Sequence, residues 1–462
     1  MRIAIIGGGL TGLTLAYYLQ KAGVAYDVFE ASEQAGGNLL SPLDAAGYQL
    51  EAGPNSLLLS PELEELLAEL GLTNHIQEAA PVSQHRYVLR RGRYQALPAS
   101  PPKLLTSGFF SLKTKLRLLR ELRHRPAPPV PNETVGAFFG RHFGPEVVAY
   151  AVNPFLAGIY AGDPQELLLS LTFPQLAALE QQHGSVLRGF AASRKAGGSA
   201  GRRRTITLRG GVQTLTEALA AHLSCYHPGQ RVSQLSIINY QLSGGNYQLE
   251  IDKQVLPNIE NQTPKTYTHV ALALPAYAAA ELLRPLHPAA ADALAAVRYP
   301  PMALVYSAYD RAAVGHPLAG FGALHPQAEG TYSAGSIWTS AIFPDRVPAG
   351  QVLFTSFVGG TQFARQAQEP AAAQLAAVDA ELRRLYDITA APRWQGRYYW
   401  PRSIPQFDAH LAAARAAVVP LAAEGIVAVA NWMAGVSVPD CVKYARKVSE
   451  ELRVAVLVSD AK

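Results

Sequence analysis

Sulfur and charge are scarce in this chain. Of its 462 residues only Cys225 and Cys441 are cysteines, with no CxxC spacing. That excludes a disulfide framework and a cysteine-built zinc site, and it predicts a reducing compartment. Charged residues make up 16% and the formal net charge is +5. An excess so slight for this length argues against a nucleic-acid platform; an anionic substrate or a membrane surface suits it better. Long apolar runs are missing too. "GIVAVANWMAGVSV" is broken by Asn431, Gly435 and Ser437, short of the roughly 18 residues a membrane-crossing helix needs. Gly7, Gly8 and Gly9 cut the first apolar run before it can serve as a secretion signal. The expected location is the cytoplasm, with any membrane contact peripheral.

What the chain does have is apolar mass, 49% of its residues, enough for the cores of two or three domains. "MRIAIIGGGLTGLTLAYYLQKAG" reads as a buried strand, a glycine turn and a helix. In Gly7-x-Gly9-x-x-Gly12 the first glycine makes the turn, the second lets a pyrophosphate approach the backbone, and the third packs the helix on the strand. The helix N-terminus then faces the anion. The next strand, "AYDVFE", ends at Glu30, where an acid can accept from both ribose hydroxyls. Gly36 and Gly37 in "ASEQAGGNLL" would bring a second backbone segment close to the phosphates, which favours FAD over NAD. Downstream no second fingerprint occurs, and "KAGGSAGRRR" reads as a loop. Electrons must therefore leave to oxygen, a quinone or another acceptor.

"EAGPNSLL" places Gly53, Pro54 and Asn55 in a rigid turn. The expected class is α/β: a Rossmann-like FAD-binding domain with two insertions. Residues 1–80, 196–275 and 421–462 form the discontinuous FAD-binding domain, 81–195 a mainly helical domain with possible membrane contact, and 276–420 an α+β substrate-binding domain. Within the helical part, Lys113, Lys115, Arg117, Arg120, Arg123 and Arg125 alternate with Leu112, Leu116, Leu119 and Leu122. Either this amphipathic helix lies on an anionic membrane, or its leucines pack inward beneath a solvated basic face.

Taken with "NPFLAGIYAGDPQELLLS", "RGGVQTLTEAL", "YPPMALV", "PLAGFGALHP", "FPDRVPAGQVLFTSFVGG" and "NWMAGVSVPDC", these segments resemble the protoporphyrinogen oxidase family of monoamine-oxidase-like flavoproteins over nearly the whole chain. Gln34 and Pro439 depart from the family's usual Arg and Gly. The resemblance implies noncovalent FAD contacted also by Leu10, Thr11, Ala31, Asn38, Val232, Trp432, Met433, Val436 and Val438, and by Gly53, Pro54 and Asn55, whose turn would lie beside the flavin ring. A porphyrinogen would lose six electrons in three flavin cycles, with molecular oxygen reoxidising the flavin and leaving as hydrogen peroxide. No catalytic side chain and no metal are expected. Arg86 in "HRYVLRRG" would pair a propionate, with Arg90, Arg91 and Arg93 in solvent. Asn55 would either assist Arg86 or close an Asx turn. Gly162 would present its carbonyl to the ring nitrogens or make a plain Gly-Asp-Pro turn. Leu324, Ile337 and Phe357 would hold the macrocycle or belong to the core. "NWMAGVSVPDC" reads as a strand, then a loop leading to a helix whose N-terminus faces the flavin. The partners implied are the porphyrinogen, oxygen, a possible membrane surface and a possible second copy of the chain, without nucleic acid. Coproporphyrinogen III is the nearest alternative substrate and would want further basic residues, such as Lys103 or Arg202 to Arg204. A flavin amine oxidase, a desaturase and a non-catalytic flavin scaffold are more distant alternatives.

Overall fold

The computed structural model describes residues 2–98, 106–128, 130–195, 204–241, 244–251 and 265–460. Lys103, Arg202, Arg203 and most of "KAGGSAGRRR" lie outside them. A five-stranded parallel sheet runs in the order Ile426–Ala428, His269–Leu272, Arg2–Ile6, Ala25–Phe29, Tyr226–His227. Its central strands are almost wholly apolar because both faces are covered; the helices Leu10–Lys21 and Val438–Asp460 pack against each other at this sheet. Asp27 is the exception, fully buried in the second strand. Burial opposes its charge, yet hydrogen bonds from His227, Arg2 and Lys265 hold its carboxyl well below the usual range.

A seven-stranded sheet follows the order Trp394–Trp400, Met302–Asp310, Gln351–Gly359, Gly335–Trp338, Gly322–Leu324, Arg86–Arg90, Arg93–Ala96. The only parallel pairing within it joins Gly322–Leu324 to Arg86–Arg90. The boundary expected at residue 81 is thereby corrected: Arg86–Ala96 completes the seven-stranded sheet and does not belong to the helical insertion. A strand left at that edge without this hairpin would expose its peptide groups. One face of the sheet is covered by the helix Ala371–Tyr386 through Tyr309, Trp338, Phe354 and Val358.

The helical layer contains Leu112–Glu121, Val135–Phe143, Asn153–Tyr160, Pro174–His183 and Val186–Lys195. Of the two alternatives for Leu112, Leu116, Leu119 and Leu122, inward packing is not what the structure shows. Leu112, Leu116, Leu119 and Leu122 are 73, 51, 48 and 40% exposed, while Thr114, Leu118 and Glu121 are buried. Polar anchors set this rotation: Glu146 accepts from Ser111 and Thr114, and Glu121 accepts from Ser185 and the Val186 N–H. Arg90 is a second correction. It is 7% exposed, paired with Glu146, bonded to the Phe109 carbonyl and stacked on Tyr150. Being on the same face of its strand as Val88, it points into the core. A third correction concerns Asn431–Ala434, which forms one helical turn and not a strand; the strand ends earlier, at Ala428.

Candidate functional site

The dinucleotide groove is built where the first strand meets its helix. Gly7 has φ +114°, and a Cβ there would lie 2.4 Å from the Ala273 carbonyl oxygen. A Cβ on Gly12 would lie 2.0 Å from the Gly7 oxygen. Both must be glycine for packing alone. Gly9 differs: a Cβ would meet nothing within 4 Å, so the space above it is open to a ligand. Gly36 joins this turn through a parallel bridge to Gly9 and a bond from its N–H to the Gly8 oxygen. Gly37, at φ +59°, sits over the Gly9 Cα. Glu30 directly follows the second strand and already accepts from Gly8 N–H at 2.6 Å and Ser32 N–H at 2.8 Å, which fixes its carboxylate at the groove. Ala31 and Asn38 are exposed beside it, whereas Leu10 and Thr11 are buried in the helix's first turn.

These residues fit a dinucleotide: an open approach over Gly9, the Leu10–Lys21 helix N-terminus aimed at it, and a fixed acid at the strand end. The second helix begins at Val438, where the Ser437 hydroxyl accepts from Asp440 N–H and Pro439 occupies the first turn, a place where its missing donor costs nothing. Met433 and Val436 are half-buried before it. The side chains of Val232, Val438 and Trp432 are buried in apolar clusters, and Trp432 donates from its indole to the Leu274 carbonyl. Burial pushes the Cys441 thiol up to about 12, and its Sγ faces the Gly435 carbonyl. Such a thiol supplies no thiolate for a covalent flavin bond.

The Gly53-Pro54 turn is clamped from several sides. Gly53 is glycine because a Cβ would lie 2.1 Å from the Asn38 carbonyl oxygen, not because its backbone is left-handed. Trp400 donates to the Ala52 carbonyl at 2.7 Å, and Tyr306 to that of Glu51 at 2.8 Å. Glu51, 1% exposed, pairs with Arg346, 3% exposed, at 2.6 Å. Arg346 also bonds Thr207 and stacks on Phe343. Burial pushes the Glu51 carboxyl up to about 7, against the pull of Arg346 and the Ser41 hydroxyl. This pair was missed from the sequence, although an acid before "AGPN" and a lone Arg in the apolar "FPDRVP" were its visible traces. Asn55 is 7% exposed and its Oδ1 has no hydrogen-bond partner among the described residues, which removes the Asx-turn alternative.

Strand register brings the other expected residues together. Arg86 pairs with Gly322 and Gly322 with Ile337; Leu324 pairs with Gly335 and Gly335 with Phe357. Paired residues point the same way, so Arg86, Leu324, Ile337 and Phe357 share the face that also carries Tyr306. Leu324, Ile337 and Phe357 are each partly buried between buried strand neighbours, Leu324 and Phe357 resting against core clusters. Arg86 is exposed and lies over the Phe321 ring at 5.1 Å, beside a cavity of about 300 Å³ lined by Gln84, Leu97 and Thr106. The Gly162 carbonyl is already engaged within the fold, accepting from Gln362 at 2.8 Å. The helix before it nonetheless borders this face, since a Cβ on Gly158 would touch Leu324 at 3.0 Å.

The nucleotide groove and the apolar face of the second sheet meet at the clamped Gly53-Pro54 turn. A family model described as flavin containing amine oxidoreductase matches residues 10–453. The chloroplastic protoporphyrinogen oxidase of Nicotiana tabacum is 30% identical over 97% of this chain and 84% of its own length. Protoporphyrinogen oxidase 1 of Arabidopsis thaliana is 31% identical over 97% and 87%, and the coproporphyrinogen III oxidase of Bacillus subtilis 27% over 95% of each. Among solved structures, a candidate protoporphyrinogen oxidase from Exiguobacterium superposes with TM-score 0.78 at 21% identity, covering 98% of this chain and 99% of its own. Cyclohexylamine oxidase from Brevibacterium oxydans gives 0.68 at 15%, with the same coverage; these two likenesses concern the fold alone. The chain belongs to the flavin-containing amine oxidoreductases and, within them, to the protoporphyrinogen oxidase family, with FAD as its cofactor.

Proposed function

We propose that the protein oxidises protoporphyrinogen IX to protoporphyrin IX in haem biosynthesis, removing six electrons in three rounds. The observation that carries this reading is the shared sheet face, with a guanidinium at one end and three partly buried apolar side chains facing the clamped turn. Bound FAD supplies two-electron, hydride-level oxidation, with molecular oxygen as the final acceptor. Leu324, Ile337 and Phe357 hold the apolar body of the tetrapyrrole and keep water from it. Arg86 pairs a propionate, fixing the ring's orientation. Asn55 offers its amide N–H to a carboxylate, and its orphaned Oδ1 suits a pyrrole N–H donor.

Coproporphyrinogen III is the second reading, favoured by the near-complete overlap with the Bacillus relative. Of the further basic residues it would want, Arg204 is engaged by Glu64 and Glu78. Anaerobic mixing with each porphyrinogen in turn tests both readings. Faster flavin bleaching by protoporphyrinogen is expected; faster bleaching by coproporphyrinogen reverses the assignment, and bleaching by neither rejects porphyrinogen oxidation.

Among the described residues no helix is long and apolar enough to cross a membrane. The leucine row of Leu112–Glu121, flanked by Lys113, Lys115 and Arg120, supports peripheral contact with an anionic bilayer, since exposed leucines gain from burial in the interface.

A further inference from the structure

The helical layer holds a cluster that porphyrinogen oxidation does not use. Glu121 ends its helix and His124 follows within one turn, while His142 comes from Val135–Phe143. One donor atom from each lies within 4.8 Å of the other two. Glu121 and His142 are sealed from solvent and His124 is half-buried. Glu121 Oε1 stands 3.2 Å from His142 Nδ1. Two ligands of a tetrahedral zinc ion, each about 2.0–2.1 Å from the metal, stand about 3.3 Å apart. That pair is therefore already at ligand spacing, and only the half-buried His124 must close in.

The surroundings match those of metal ligands. His142 Nε2 lies 3.1 Å from Glu180 Oε1, the carboxylate partner that fixes a ligating imidazole with its other nitrogen free. Glu121 is oriented by the Ser185 hydroxyl and the Val186 N–H, both at 2.6 Å. Arg141 Nη1 is 2.9 Å from the same His142 Nε2. Ligation through Nδ1 places the ring proton on Nε2, towards Glu180, so Arg141 Nη1 must turn away from that nitrogen and rest on its carboxylate partners Glu133 and Glu180.

We propose that Glu121, His124 and His142 bind one divalent cation of zinc type, with the fourth position left to water, tying the leucine-fronted helix to its neighbours. The test is equilibrium dialysis of the FAD-loaded enzyme against zinc, followed by elemental analysis, for the wild type, His124→Ala, Glu180→Gln and the exposed control His222→Ala. Unchanged flavin content verifies that each variant is folded. One zinc per chain is expected in the wild type and in His222→Ala. His124→Ala should bind at least about tenfold more weakly, and Glu180→Gln about tenfold more weakly, the usual effect of losing an outer-shell partner. Absence of stoichiometric zinc in the wild type overturns the proposal and leaves a hydrogen-bond network only. Equal binding by wild type and His124→Ala overturns it as well.

Discussion

Replacing Arg346 by Met should unseat the turn that joins the two halves of the site. Arg346 is 3% exposed and Glu51 1%, with 2.6 Å between them, so removing the cation leaves the buried Glu51 carboxyl without its counter-charge and forces it to take up a proton. Breaking a buried pair in this way costs about 3–5 kcal/mol. Part of the loss should be recovered in Glu51→Gln/Arg346→Met, where no charge remains, so the double variant should be more stable than the sum of the single losses predicts. Tyr306→Phe is the scale marker. It deletes one bond to the Glu51 carbonyl and should cost about 1 kcal/mol. Stability would be followed by urea denaturation with circular dichroism, and the turn itself by release of FAD at each urea concentration. Additive losses in the double variant, or an Arg346→Met protein within about 1 kcal/mol of wild type, would refute the reasoning. Either result would mean that the pair neither senses its burial nor holds Gly53-Pro54 in place.

Arg86→Ala should raise KM about thirtyfold, on the order of 2 kcal/mol for a charge-assisted bond, with a normal flavin spectrum; a silent Arg86 with a critical, exposed Arg91 would move the propionate site. Gly9→Val should abolish FAD retention yet leave the apoprotein folded, since the added atoms enter open space, whereas Gly12→Ala should destabilise the fold itself; calorimetry beside FAD titration separates the two. Hydrogen bonds from Ser111, Thr114 and Arg90 overcome burial and hold the Glu146 carboxyl at about 2. Its contribution is therefore complete above the ordinary carboxylate range near 4.5 and lost as pH falls towards 2. Glu146→Gln should thus be less stable than wild type at neutral pH and converge with it near pH 2 in acid-unfolding curves. Binding to anionic vesicles should weaken in high salt and on exchanging Leu112 and Leu116 for Ser; salt-independent binding or none would leave the helix as a plain solvated surface.

The nucleotide end was legible because its signals are local: strand, glycine turn, helix and acid fall within thirty residues. What stayed hidden depended on distant partners. Leucine spacing in Leu112–Glu121 shows an amphipathic helix but not which face turns inward; Glu146 and Ser185 decide that from other segments. Arg90 was assigned to solvent because nothing nearby announces Glu146. Gly162 was offered to a ligand because Gln362, two hundred residues on, could not be seen to claim its carbonyl. Leu324, Ile337 and Phe357 were named from resemblance, and only strand register shows that they share a face.

The parallel pairing of Arg86–Arg90 with Gly322–Leu324 bears on how the chain is made. A ribosome that has delivered the first hundred residues has delivered the guanidinium, but the strand that will hold it is more than two hundred residues from synthesis. The parallel sheet waits longer still, since His269–Leu272 separates Arg2–Ile6 from Ile426–Ala428. Closing such loops costs entropy before any contact repays it. Nascent chains should therefore expose the apolar strands of both sheets until translation is nearly finished, and chaperone dependence should be greatest then. A chain ending before residue 426 would lack the outer parallel strand and the helix against Leu10–Lys21, so early termination should yield aggregate and not a partly active fragment.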